Sequence, residues 1–132
     1  MEDVRFQYKS LKYWIEDGII CSTFTQKTFL ELEMAKKGVE IQKTLRMGMT
    51  MPLLVDIRNL SGASAEARKY FASQESISEV TAGALIVKSS FTEWLGNFFF
   101  KISKPAIPKR IFQDHEKAKQ WLNQYPARMR AL

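Results

Sequence analysis

The chain has one cysteine, Cys21, and one histidine, His115, among its 132 residues. A lone cysteine excludes an internal disulfide framework and a thiol-rich structural metal site, and it fits a reducing compartment. No unbroken apolar run approaches the roughly 18 residues that suggest a membrane-spanning helix, so no transmembrane segment is expected. The opening stretch MEDVRFQYKS carries Glu2 and Asp3 and has no apolar core, unlike a secretory signal. The expected location is therefore cytoplasmic. Phosphate-binding and hydrolase signatures are missing as well: there is no G-x-x-x-x-G-K-[ST], no G-x-G-x-x-G and no G-x-S-x-G. His115 has no His, Cys or Glu at metal-ligand spacing along the chain. It reads as a surface histidine, and neither a metal nor a cofactor is expected.

What is present is an ordinary globular composition, 45% hydrophobic and 26% charged. The length suits one hydrophobic core, so a single domain over residues 1–132 is expected. The net charge of +6 is uneven. Residues 101–132 hold eight Lys/Arg against Asp114 and Glu116, and 8 − 2 accounts for all of it. Such a basic end can face nucleic acid, acidic lipid or an acidic partner. Its charges are dispersed and no nucleic-acid motif accompanies them, so a solvated face is the simpler reading and nucleic acid is not an expected partner.

The N-terminal stretch RFQYKSLKYWIEDGIICSTF is rich in aromatic and β-branched residues and contains the hairpin signal Glu16–Asp17–Gly18. Its apolar alternation changes phase between Tyr8 and Leu11, which predicts a bulge or bend near Ser10. A helix is predicted from about Gln26 to Arg46, capped by Thr25 or Thr28, with Thr28 and Glu31 forming a capping-box pattern. Leu30, Met34, Ile41 and Leu45 make its apolar stripe, and Gly38 on that stripe suggests close packing against a sheet. The continuous apolar runs Pro52–Ile57 and Ala82–Ser89 predict strands buried on both faces. A short helix capped by Ser64 lies between them. A helix over Phe91–Ile102, an edge strand at PKRIF and a closing helix capped by Asp114 complete the chain. The order β-β-α-β-α-β-α-β-α predicts an α/β fold, with a mostly parallel mixed sheet and an N-terminal antiparallel hairpin.

The blocks LLVDIRNLSGASAEARKYF, AGALIVKSS, LGNFFFKISKPAIPKRIF and EKAKQWL, in that order, resemble the SpoIIAA-like branch of the STAS/SEC14 domain families. The likeness runs from Asp3 to about Tyr125, and members of this branch are mostly small bacterial proteins. It implies a STAS/SpoIIAA-like fold and a regulatory role: STAS proteins of the anti-sigma antagonist type bind a kinase and are switched by serine phosphorylation. That serine belongs to an Asp-Ser-Ser-Gly motif, which falls here on Ser64, Ala65, Glu66 and Ala67 when counted from the strand-end Asp56. Neither serine of the pair is kept. Glu66 places a permanent negative charge in the first helical turn, where the helix dipole favours it. A surviving phosphoswitch would have to use Ser61 or Ser64, and Ser64 is more simply a helix cap.

Asp56, at a strand end, has no second carboxylate or histidine nearby in sequence. A turn-stabilising role, or pairing with Arg58 or Arg68, is expected of it. Cys21 reads as a small buried residue. Phe91, Trp94, Phe98, Phe99 and Phe100 crowd one segment, and Phe100 falls off the stripe formed by the others. An exposed aromatic beside Lys104 and Arg110 would suit a partner surface.

Two functions follow. One is a non-catalytic protein-interaction module that binds a partner protein or itself as a homodimer. Its surface would comprise Asp56, Glu66, Trp94, Phe98, Phe100, Lys104 and Arg110. The other, implied by the SEC14 side of the resemblance, is binding or sensing of a small apolar or lipid-like ligand. That reading requires a cavity of about 300 Å³ between the sheet and the aromatic helix. An enzyme is not expected.

Overall fold

A computed structural model describes residues 5–71, 73, 79–94 and 107–129. Three antiparallel strands open the chain: β1 (Arg5–Tyr8), β2 (Leu11–Glu16) and β3 (Ile19–Phe24). The phase change near Ser10 is a two-residue chain reversal rather than a bulge, since Tyr8 pairs with Leu11 and Lys9 takes φ of 53°. Asp17 and Gly18, at φ of 54° and 76°, make the tight turn between β2 and β3. A type I′ turn requires positive φ at both positions, which Asp-Gly tolerates.

Parallel strands extend this meander. β5 (Met49–Asp56) lies between β3 and β7 (Val80–Ile86), and β8 (Lys109–Phe112) forms the far edge, giving the order β1-β2-β3-β5-β7-β8. A short β9 (Arg128–Met129) pairs antiparallel with the start of β5. The edge strand begins after Pro108, whose carbonyl accepts from Gly83 N, the strand-start position on an edge where a proline is tolerated.

The predicted helix at Gln26 begins later than expected. Residues Thr28–Leu30 form β4, paired in parallel with β6 (Leu60–Ala63), and helix α1 runs from Leu32 to Arg46. Thr28 does not cap it. The Thr28 hydroxyl donates to Gln26 O and lies 2.7 Å from Ser10 Oγ, while the N-cap is Glu31 with no side-chain cap bond. Both strands of this small sheet feed a helix, because β6 leads into α2 (Ala65–Phe71). Ser64 N donates to Leu30 O and Ser64 Oγ accepts from Ala67 N, so α2 starts beside α1.

The main sheet is covered on both faces. Leu11, Tyr13, Ile20, Phe24 and Leu85 face α1 and α2. Ile19, Cys21, Leu54, Ala82, Ala84 and Ile86 face α3 (His115–Leu122). Asp114 caps α3 by accepting from Lys117 N at 3.0 Å, as expected. Ala82, Ala84 and Ala118 are fully buried, and their small side chains let α3 lie close to the strands. Residues 90–94 are helical; the rest of the predicted 91–102 helix lies outside the described residues.

Candidate functional site

Between the sheet and α1 lies a cavity of about 110 Å³. Its walls are mainly apolar, with Leu11, Phe24, Met34, Leu53, Leu85 and Ile107 among them. Two glycines shape it in opposite ways. A side-chain carbon at Gly38 would meet Tyr13 Oη at 3.0 Å and Leu11 Cδ2 at 3.1 Å, so Gly38 brings α1 down onto the sheet. At Gly83 the nearest atom among the described residues would be Lys109 Cγ at 3.9 Å. The missing side chain at Gly83 therefore leaves open space on the cavity floor.

One end of the cavity is polar. Tyr13, Ser22 and Gln42 all line it, and all three are buried. Gln42 Nε2 donates to Tyr13 Oη at 2.9 Å. Gln42 Oε1 and Ser22 Oγ have no hydrogen-bond partner of ordinary geometry. Burial pushes the Tyr13 phenol up to about 12, although Gln42 and the nearby Ser22 hydroxyl draw it the other way. It is therefore neutral at physiological pH. Lys109, which lines the cavity from the edge strand β8 of the same sheet, has its pKa lowered by desolvation.

This cavity is smaller than the sequence led one to expect, its volume lying below the roughly 300 Å³ of a drug-sized site. Helix α1 forms one of its described walls, and most of the 91–102 helix predicted to border it lies outside the described residues. Gln42, Ser22, Tyr13 and Gly83 were not singled out by sequence. The available signal was a polar residue on an otherwise apolar face: Ser22 alternates with Ile20 and Phe24, and Gln42 lies one helical turn after Gly38.

The sequence-derived site residues do not converge. Asp56 ends β5, and its Oδ1 accepts from Arg58 N at 3.0 Å. Its two oxygens also hold the Arg58 guanidinium, with Nη2 to Oδ2 at 2.7 Å. The pairing raises the Arg58 pKa. This is the turn-stabilising, Arg-pairing arrangement expected. Glu66 is exposed in the first turn of α2, Ser61 is exposed on β6, and Ser64 is the α2 cap. Arg110 is exposed, with its guanidinium 5.2 Å from the Phe112 ring centre. Trp94 is 54% exposed and stacks on Phe91, 46% exposed, at 6.1 Å between ring centres. Phe98, Phe100 and Lys104 lie outside the described residues.

His115 is less isolated than its sequence neighbourhood suggested. Folding brings Glu16, Cys21 and His115 within 4.8 Å of one another, a proximity that three separate elements create and spacing could not reveal. The groups already have protein partners. Glu16 accepts from Trp14 Nε1 at 3.0 Å and from the Lys119 ammonium, which also pairs with Asp17 at 2.9 Å. The buried Cys21 thiol faces Ile19 O at 3.8 Å, and burial pushes its pKa up to about 12. The cluster is an ion-pair network over an inert buried thiol.

Residues 13–126 match the family model described as "Domain of unknown function (DUF7793)". No curated protein matches the chain. Among solved structures, the crystal structure of an uncharacterized protein from the DUF3478 family with a SpoIIAA-like fold, from Shewanella loihica PV-4, is similar. It aligns with a TM-score of 0.57 and 17% identity over 92% of each chain. At that identity the likeness establishes the fold: this is an α/β, SpoIIAA-like mixed sheet. No helix among the described residues is long and apolar enough to cross a membrane.

Proposed function

The chain belongs to the DUF7793 family, and we propose that this domain is a non-catalytic module that holds a small, largely apolar ligand between its sheet and α1. The carrying observation is the void over Gly83, a partly open cavity with apolar walls and buried polar groups at one end. Interiors pack densely, and a cavity of this kind costs stability when empty. A phenol raised to about 12 is poorly suited to act as a base at neutral pH, which supports binding over catalysis.

The test is native mass spectrometry of the protein and of Gly83→Val, each purified from the host. Gly83 lies in a strand at ordinary φ, so valine suits its backbone and fills the void. The expected result is a mass above that of the chain, lost on denaturation and absent from Gly83→Val. A bare chain mass for both proteins overturns the reading.

A second reading, the interaction module, is favoured by the exposed stacked pair Phe91–Trp94. Exposed aromatics of this kind are enriched at interfaces. If they seat a partner protein or a second copy, Trp94→Ala abolishes the association seen by sedimentation velocity and leaves the cavity ligand in place.

A further inference from the structure

Resting on the ligand-binding reading, we propose that the ligand is electrically neutral and carries a hydroxyl group, which Gln42 and Ser22 recognise at the polar end of the cavity. Gln42 on α1 and Ser22 on β3 are 2% and 1% exposed. Gln42 Oε1 has no partner, Ser22 Oγ makes no bond of ordinary geometry although its hydroxyl lies near the Tyr13 phenol, and both residues line the same void. A buried polar atom left unsatisfied costs about 1–3 kcal/mol. Gln42 Oε1 is such an atom, and the Ser22 hydroxyl beside Tyr13 can rotate toward an incoming group.

Their chemistry selects that partner. The amide oxygen of Gln42 can only accept, whereas the Ser22 hydroxyl can donate. A ligand hydroxyl satisfies both, donating to Gln42 Oε1 and accepting from Ser22 O–H. A ketone offers no donor and leaves Gln42 Oε1 unpaired. A carboxylate would point lone pairs at that oxygen, in a place where burial already disfavours a negative charge on Tyr13. An ammonium would find no carboxylate among the described lining residues. Size sets the other limit. A closed cavity of about 150 Å³ accommodates the six heavy atoms of benzene, so one of about 110 Å³ encloses about four. Because this one is partly open, a small cyclic alcohol is held by its hydroxyl end with the far edge of the ring at the cavity mouth.

Cyclopentanol, cyclopentanone, cyclopentane and cyclopentylammonium form a matched set of probes. Titrations into the full chain are followed by the backbone amides of Ser22 and Gly83 and the side-chain amide of Gln42 in ¹H–¹⁵N spectra. Cyclopentanol is expected to bind about 2–10 times more tightly than cyclopentane or cyclopentanone, the range that one net hydrogen bond provides. Gln42→Leu should remove that preference while cyclopentane binding persists. Ser22→Ala, a smaller change, should reduce the preference in the same direction and serves if Gln42→Leu fails to fold. Equal affinity for the alcohol, ketone and hydrocarbon overturns the hydroxyl assignment but leaves the cavity reading standing. Tighter binding of the ammonium overturns the neutrality. A high-resolution structure showing only an ordered water between Gln42 and Ser22, undisplaced by cyclopentanol, likewise overturns the assignment. If no probe shifts any cavity residue, both readings fall.

Discussion

Asp56 closes the central strand with both carboxylate oxygens committed to its neighbour Arg58. Oδ1 takes the Arg58 backbone N–H, and the guanidinium spans Oδ1 and Oδ2. The Asp56 side chain is only 13% exposed while that of Arg58 is 46% exposed, so solvent weakens the ion pair and the backbone bond carries more of the effect. Asp56→Ala is expected to destabilise the fold by about 1–2 kcal/mol in urea denaturation. Asp56→Asn should cost less, because an amide oxygen still accepts from Arg58 N–H. An unchanged midpoint for Asp56→Ala would mean the carboxylate is retained for a purpose other than this turn. Asp56, Ser64 and Asp114 were readable from sequence because each acts on backbone two or three residues away. The same locality explains why Gln42 and Ser22 were not: their significance depends on strands and a helix far apart in the chain.

At the scale of elements, α1 is seated by what Gly38 lacks. Tyr13 Oη and Leu11 Cδ2 already occupy the space in which a side chain would begin, and Gln42 holds the Tyr13 hydroxyl in position. Gly38→Val should therefore lose about 1–3 kcal/mol through overpacking, although replacing a helical glycine ordinarily helps. Because α1 roofs the cavity, the same variant should also weaken binding of the cyclopentanol probe. A stability at or above wild type would show that α1 is free to ride up. The Gly38 stripe was legible from periodicity, as were the buried strands of β5 and β7. The pair β4–β6 was not. Thr28–Leu30 and Leu60–Ala63 are too short to show a period, and they become strands only by pairing with each other across some thirty residues. Phe29 lies over Gly62, where a side chain would meet Phe29 Cε1 at 2.9 Å, and that fit too is visible only in three dimensions.

Across the whole molecule, the β2–β3 turn is tied to α3 by charge. Lys119 reaches back to Glu16 and Asp17, so part of the C-terminal basic surplus is engaged in an ion network. The pairing sets a pH profile. The bond from Lys119 first, then that from Trp14, holds the Glu16 carboxyl below its ordinary value. A depressed carboxyl contributes stability that is fully present above its unfolded pKa of about 4.3 and is lost as pH falls through the folded value. Lys119 is shifted upward by Glu16 and Asp17. Its contribution is present below the unfolded pKa of about 10.4 and is lost as pH rises through the folded one. The stability difference between wild type and Lys119→Met, from urea midpoints, should therefore be greatest near pH 7. It should shrink toward pH 3 as Glu16 protonates and loses its attraction for the ammonium. Solvent reaches Glu16, whose side chain is 34% exposed, so the gap should also narrow in high salt. A difference that is the same at pH 3 and pH 7 would show that Lys119 does not act through its pairing with the Glu16 carboxylate.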